Sequence, residues 1–166
     1  AASRVALEPF PNVQPLTVMC LVVGGTLGAR RGMAFAVIAT LLSNLVLSNG
    51  WWTLFQASGW ALIALAGSKL AVVSENKIQM KRLVLVSAIC SLLFGWWVSL
   101  SIWTPGMGGF EFAIYLLNGL PFDAMHVLAS IVSAVWIAPW LCDLIHEEVV
   151  LFDTPSPVGE VDVSNR

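Results

Sequence analysis

The sequence predicts an all-α integral membrane protein that folds as a bundle of about five transmembrane helices. Hydrophobic residues make up 58% of the 166-residue chain and charged residues only 11%, with a mean hydropathy of +0.83, whereas a soluble domain carries about 25% charged residues. The apolar residues also gather in runs of about the length that crosses a bilayer as a helix. We expect one transmembrane bundle in residues 1–144 and an acidic, partly disordered tail in residues 145–166.

Five apolar runs define the predicted helices. In lipid such runs form helices, because barrel strands would alternate polar and apolar residues and open strands would leave backbone groups unpaired. Pro15 suits the start of the first helix, where its missing N–H costs nothing, and Thr104-Pro105-Gly106 stops the fourth. We expect residues 104–120 to form a mobile, lid-like loop with a short interfacial helix at residues 112–117. The predicted helices span residues 13–27, 32–47, 54–73, 83–103 and 121–144.

The basic residues predict how the chain is oriented. They lie near two joints, which share one side of the membrane if every segment spans it, and the other two joints carry no Lys or Arg. The positive-inside rule then places the arginine and lysine joints, together with the C-terminal tail, in the cytoplasm of a multi-pass protein. The basic residues concerned are Arg30, Arg31, Lys69, Lys77, Lys81 and Arg82.

Several function classes have no support in the sequence. The net charge is −2 and the basic residues are scattered, so we expect no nucleic-acid partner. We find no Walker motif, GxGxxG motif, HExxH motif or Ser/His/Asp set, and we predict that the chain is not an enzyme. The spacing of Cys20, Cys90 and Cys142 matches no metal or redox motif. We therefore expect buried thiols, no metal site and no cofactor.

The polar residues at the outer ends of the helices form the candidate site. Asp123 and His126 lie three residues apart on one helical face. They either bind a ligand or neutralise each other by a hydrogen bond at a helix start; a metal site is the weaker alternative, since it needs more ligands. Asn44 and Gln56 place amides near membrane depth, where each needs a partner.

The tryptophans near residue 50 allow two interpretations. Trp51 and Trp52 fit an aromatic belt at the membrane surface, whereas Trp60 lies one to two turns deeper and fits a cavity wall better. Small residues four positions apart favour close helix packing, either within the bundle or against a partner. These pairs are Gly24/Gly28, Ala57/Ala61, Ser130/Ala134 and Ala134/Ala138.

A series of short motifs resembles the substrate-specific component of energy-coupling factor (ECF) transporters, in a prokaryotic branch of that family. The resemblance covers about residues 4–142 and rests on the order and spacing of its parts. The family usually has six helices, so a sixth is expected if one precedes Ala1. The motifs are Arg4-Val5, Pro11-Asn12-Val13-Gln14-Pro15, residues 27–32 (LGARRG), Ser43-Asn44, residues 50–56 (GWWTLFQ), Gly59-Trp60 and residues 122–126 (FDAMH).

The resemblance implies a function for the site. Members of the family bind a vitamin or similar micronutrient near the outer face of the cell membrane, and dock onto a transmembrane coupling protein and two ABC-type ATPases. In this chain the amides and Asp123 would bind polar groups of a small-molecule ligand and the indoles would stack on a ring. The matching positions are Asn12, Gln14, Asn44, Trp52, Gln56, Trp60, Asp123 and His126.

A second function remains open from the same residues. The chain has Trp51 and Ala57 where the family pattern has proline and methionine. A structural or accessory subunit of a larger membrane complex, which keeps the fold without transport, is therefore the alternative expectation. Membrane lipid surrounds the bundle in both cases.

Overall fold

The computed structural model describes the backbone of residues 1–7, 12–75 and 77–153, and the side chains of these residues up to residue 147. This part of the chain forms six α-helices and one small antiparallel hairpin, in which Val73 pairs with Ile78. A 3₁₀ turn at Leu100–Ile102 extends α5. In chain order the elements are α1 (Ala2–Ala6), α2 (Leu16–Leu27), α3 (Ala29–Leu47), α4 (Trp52–Lys69), β1 (Val73–Ser74), β2 (Lys77–Ile78), α5 (Met80–Ser99) and α6 (Gly109–Asp153).

Three of the described helical segments are long and apolar enough to cross a membrane, namely Ala29–Leu47, Met80–Ile102 and Gly109–Glu147. Their outward faces are apolar as well: Leu85, Ile89 and Leu93 are exposed at helical spacing on α5. A continuous apolar surface of this kind marks contact with lipid or with partner proteins. These features indicate a membrane protein with an all-α fold, apart from the two-residue strands of the hairpin.

Helix α2 lies at the centre of the bundle and contacts α3, α4, α5 and α6. It is apolar on every side, which is typical of a helix surrounded by protein, and its residues from Leu16 to Gly24 are buried except for Met19. Helix α2 has only 12 residues, so it is shorter than a membrane span.

Glycines allow α2, α3 and α4 to approach closely. A Cβ atom on Gly24 would overlap the carbonyl group of Ala64, and one on Gly67 would overlap the carbonyl group of Leu21. A Cβ atom on Gly32 would lie 2.7 Å from the Gly24 Cα atom. Helix backbones pack this closely only where small residues face each other. Of the predicted pair Gly24/Gly28, only Gly24 packs in this way, because a Cβ atom on Gly28 would meet nothing within 4 Å.

A helix with shifted ends lies at each of the five predicted positions, but only three of the described helical segments are long and apolar enough to span a membrane, and one loop was predicted wrongly. Residues 109–120 form the first part of α6, so only residues 103–108 connect the 3₁₀ turn after α5 to α6. The short helix predicted at residues 112–117 is therefore not separate but part of α6. The predicted helix start at Pro121 is also wrong, because α6 contains Pro121 and Pro139 in its interior. Membrane helices tolerate such prolines because neighbouring groups pair the freed carbonyls.

The predicted boundary at residue 144 does not coincide with the end of a helix. Helix α6 has 45 residues and passes through it to Asp153, so the first part of the predicted tail is helical. The disorder predicted for the end of the tail falls on residues 154–166, which lie outside the described residues.

The helices define two ends of the bundle. The polar end, where α2 and α4 begin and α3 and α5 end, holds Gln14, Asn44 and Gln56. The basic end holds the two basic joints, which lie close together since Gly25 faces Val72 and Val73 next to the hairpin. Exposed tryptophans occur toward both ends: Trp51, Trp52, Trp96, Trp97 and Trp103 toward the polar end, and Trp136 and Trp140 toward the basic end.

Candidate functional site: a polar cavity at one end of the bundle

A cavity of about 270 Å³ opens at the polar end, between the start of α2 and the helices α4, α5 and α6. Its volume lies just below the range of about 300–1,000 Å³ that is usual for pockets that bind drug-sized ligands. Two other cavities, of about 250 and 280 Å³, are lined mainly by apolar residues. The lining of the polar cavity consists of Asn12, Gln14, Gln56, Phe94, Gly95, Val98, Ser99, Tyr115, Gly119, Phe122, Asp123 and His126.

Asp123 contributes a carboxylate to this cavity. Its side chain is only 7% exposed, and among the described residues we find no hydrogen bond or ion pair to it. No fully buried side-chain polar atom of the described residues lacks a hydrogen-bond partner, so the Asp123 oxygens reach the open cavity, where water or a ligand can donate to them. The chain makes room for the carboxylate with Gly95, where a Cβ atom would overlap the Asp123 Oδ1 atom.

We expect Gly95→Ala to displace the Asp123 carboxylate from its position in the cavity. The new methyl group would occupy the space of the Asp123 Oδ1 atom. Because the aspartate side chain can rotate away from it, the protein should still fold. The rotation can be measured by NMR from the shift of a ¹³C-labelled Asp123 carboxylate. Gly108→Ala is the matched control, because a Cβ atom there meets nothing within 4 Å; equal shifts in both variants would contradict the assignment.

His126 does not bond to Asp123, so the predicted neutralising pair is absent. The His126 Nε2 atom lies 3.0 Å from the Thr17 hydroxyl on α2, and its ring meets the edge of Phe94 at 5.5 Å between centroids. Thr17 in turn accepts a hydrogen bond of 3.3 Å from the Trp60 indole N–H. His126 is thus held by α2 and α5, while the carboxylate one turn earlier on α6 is left without a partner.

Trp60 forms the buried layer beneath the cavity. Its side chain is fully buried and stacks on Phe94 with ring centroids 4.3 Å apart. The Arg4 guanidinium also lies over the Trp60 ring, with 4.5 Å between its Cζ atom and the ring centroid. This geometry is typical of a cation–π contact. Trp60 is therefore part of the core and does not line the cavity.

Arg4 lies in the motif Arg4-Val5 but was not among the predicted site residues. It is 7% exposed and donates hydrogen bonds to the Gln14 Oε1 atom at 3.0 Å, the Asn44 Oδ1 atom at 3.0 Å and the Ser43 hydroxyl. Burial lowers its pKa to about 10, which leaves the guanidinium charged at neutral pH. Its signals in the sequence are its place in that motif and its position as the sole charged residue among the first seven.

Asn44 connects Arg4 to α4. Its Nδ2 atom donates to the Gln56 Oε1 atom and to the Thr53 hydroxyl, both at 2.9 Å. Thr53 also donates to the Asn49 side chain at 3.0 Å. The polar side chains around the connection from α3 to α4 thus bond to one another, and Gln56 among them lines the cavity.

The eight predicted site residues fall into three groups. Asn12, Gln14, Gln56, Asp123 and His126 line the cavity. Asn44 and Trp60 lie behind the lining and hold it in place. Trp52 does not belong to the lining: it is exposed, and its ring lies against Gly50. In the part of the chain that the structure describes, no group of three or more His, Cys, Asp or Glu residues could hold a metal ion.

Comparison of the chain with protein-family models, with curated proteins and with solved structures finds no match.

Proposed function

We propose that this chain is the substrate-binding membrane subunit of an ATP-driven, ECF-type importer for a vitamin or similar micronutrient. The observation that carries the proposal is the polar cavity, in which an unpartnered carboxylate and two amides sit at one end of an otherwise apolar bundle. Buried polar groups at membrane depth are costly and tend to mark functional sites. The resemblance of the sequence to the substrate-specific components supports the same function.

The proposed orientation places the cavity at the outer surface of a prokaryotic cell membrane. The basic end then faces the cytoplasm, in keeping with the positive-inside rule. The partners would be a transmembrane coupling protein and two ABC-type ATPases. These would supply the energy of transport, while this chain selects the cargo.

Purification from native membranes in mild detergent, followed by mass spectrometry of proteins and small molecules, tests the proposal. We expect the ATPases, the coupling protein and a retained small molecule to accompany the wild-type chain. Gln56→Ala should lose the small molecule and keep the proteins, because Gln56 lines the cavity. Gln79→Ala, an exposed glutamine at the basic end, should keep both.

One observation favours a second function. Arg4 and Trp60 fill the space beneath the cavity, which leaves a volume of about 270 Å³, small for a vitamin. A structural subunit of a larger membrane complex would have such a reduced site. Recovery of a stable complex that contains neither an ATPase nor a small molecule would support this function and reject the importer.

A further inference from the structure

Arg4 fixes the direction of the hydrogen bonds around the cavity. A guanidinium group can only donate hydrogen bonds. The atoms of Gln14 and Asn44 that face Arg4 must therefore be the amide oxygens, Oε1 and Oδ1. The orientation of an amide is often a matter of assignment, but here the chemistry of Arg4 leaves one choice for each.

The same constraint passes on to Gln56. Because the Asn44 oxygen faces Arg4, its amide nitrogen is the group that bonds to Gln56, and a nitrogen that donates requires the Gln56 oxygen as acceptor. The oxygens of Gln14 and Gln56 are thus both engaged behind the lining. Their NH₂ groups make no hydrogen bond to the residues that the structure describes, and both side chains line the cavity.

The lining therefore contains two walls of opposite hydrogen-bonding character, beside Asn12, Ser99 and Tyr115, whose side chains can both donate and accept. The amide wall, formed by Gln14 and Gln56, presents donors. The acidic wall, formed by Asp123 on α6, presents two carboxylate oxygens that accept. Arg4 and Asp123 carry opposite charges, and no described residue pairs either of them with an ion of the opposite sign.

We infer that the cavity binds a dipolar small molecule, with an acceptor such as a carboxylate at the amide wall and a donor such as an ammonium group at Asp123. The inference rests on the proposed ligand-binding function and names its substrate class. A ligand of this kind satisfies both walls at once and leaves the site electrically balanced. Arg4 acts as a positioning residue, because it orients the amides without lining the cavity itself.

Three aromatic probes of nearly equal size test the inference on the purified full-length chain in lipid nanodiscs. They are 4-(aminomethyl)benzoate, which carries both charges, 4-methylbenzoate, which carries only the carboxylate, and 4-methylbenzylammonium, which carries only the ammonium group. Ligand-observed NMR titration gives the three affinities. We expect the first probe to bind at least about tenfold more tightly than either of the others, as expected for the loss of one hydrogen bond to a charged group.

Two substitutions separate the walls. Arg4→Met should reduce the gain in affinity that the probe's carboxylate provides, because the amides are then free to turn their oxygens toward the cavity. The gain in affinity that the ammonium group provides should remain. Asp123→Asn should do the reverse. Arg31→Met and Glu111→Gln are matched controls at exposed positions, and both should bind the probes like the wild type.

Equal affinities of the wild-type chain for the three probes would overturn the inference, and so would a lack of binding of the dipolar probe at about 10 mM. These measurements need no variant, so a folding defect in Arg4→Met does not weaken the test. Parallel losses for all probes in both variants would mean a merely structural role for Arg4 and Asp123, and would likewise overturn it. If the chain prefers the dipolar probe but is purified without ATPase partners, only the importer function is rejected. If ATPase partners accompany the chain but it shows no such preference, only the dipolar ligand is rejected.

Discussion

Replacement of Gly67 by alanine should destabilise the bundle, although alanine is the better helix former. The added methyl group would overlap the backbone carbonyl of Leu21 on α2, and a backbone atom cannot move aside without shifting its helix. Overpacking of this kind costs about 1–3 kcal/mol, more than the roughly 0.5–1 kcal/mol that alanine gains over glycine in a helix. Thermal unfolding in detergent, followed by far-UV circular dichroism, should show a lower midpoint.

The same change at Gly119 should have the opposite sign. Gly119 also lies inside a helix, but a Cβ atom there meets nothing within 4 Å. Only the gain in helix propensity remains, so Gly119→Ala should raise the midpoint slightly. If both variants shifted the midpoint in the same direction, the close contact of α2 with α4 would not be the reason for Gly67.

Replacement of Trp60 by alanine should destabilise the protein more than Gly67→Ala does. The side chain is fully buried, and removal of a large buried aromatic group costs about 3–5 kcal/mol. The change also removes the stacking partner of Phe94 and the ring beneath the Arg4 guanidinium. The loss can be measured by chemical unfolding of the purified protein in micelles.

Trp136 provides the control for this prediction. It is 78% exposed on α6, so Trp136→Ala should change the free energy of unfolding little. Equal losses for the two tryptophans would show that burial in the bundle does not determine their contributions. Because Trp60 is part of the core, a loss of ligand binding in Trp60→Ala would not identify a cavity wall, and Gln56 is the cleaner position for that purpose.

The sequence predicted the helical fold because apolar runs in lipid have few alternatives. It predicted the ends of the helices less well: Pro121 indicates a helix start by its local preference alone, whereas α6 continues through it. Asp123 and His126 stood out because polar residues are rare in such a helix. Their separate surroundings were not predictable, since Thr17, which bonds to His126, and Gly95, which makes room for Asp123, come from distant parts of the chain.

Two further parts of the candidate site depended on tertiary structure. Arg4 belongs to a five-residue helix with no periodic pattern, and only the fold brings it to Gln14 and Asn44. Trp52 and Gln56 lie one turn apart on α4, yet only Gln56 belongs to the lining. The rotation of α4 within the bundle decides between them, and residue types near one helix end do not encode that rotation.

The tryptophans toward the two ends of the bundle have a consequence for the membrane itself. Helices α5 and α6 are antiparallel, with Gly95 beside Asp123 and Trp103 beside Phe112. On α6 these contacts involve residues 112–123. Trp136 and Trp140 lie about 30 Å along the helix from the middle of that segment, a distance that matches the hydrocarbon thickness of a typical bilayer. Indoles prefer the interface between headgroups and acyl chains, so Asp123 lies about 8 Å inside this boundary. Lipid thickness should then control how well the cavity is hydrated: in a thicker bilayer, the mismatch would draw the carboxylate deeper below the headgroups or stretch the bundle against its anchors.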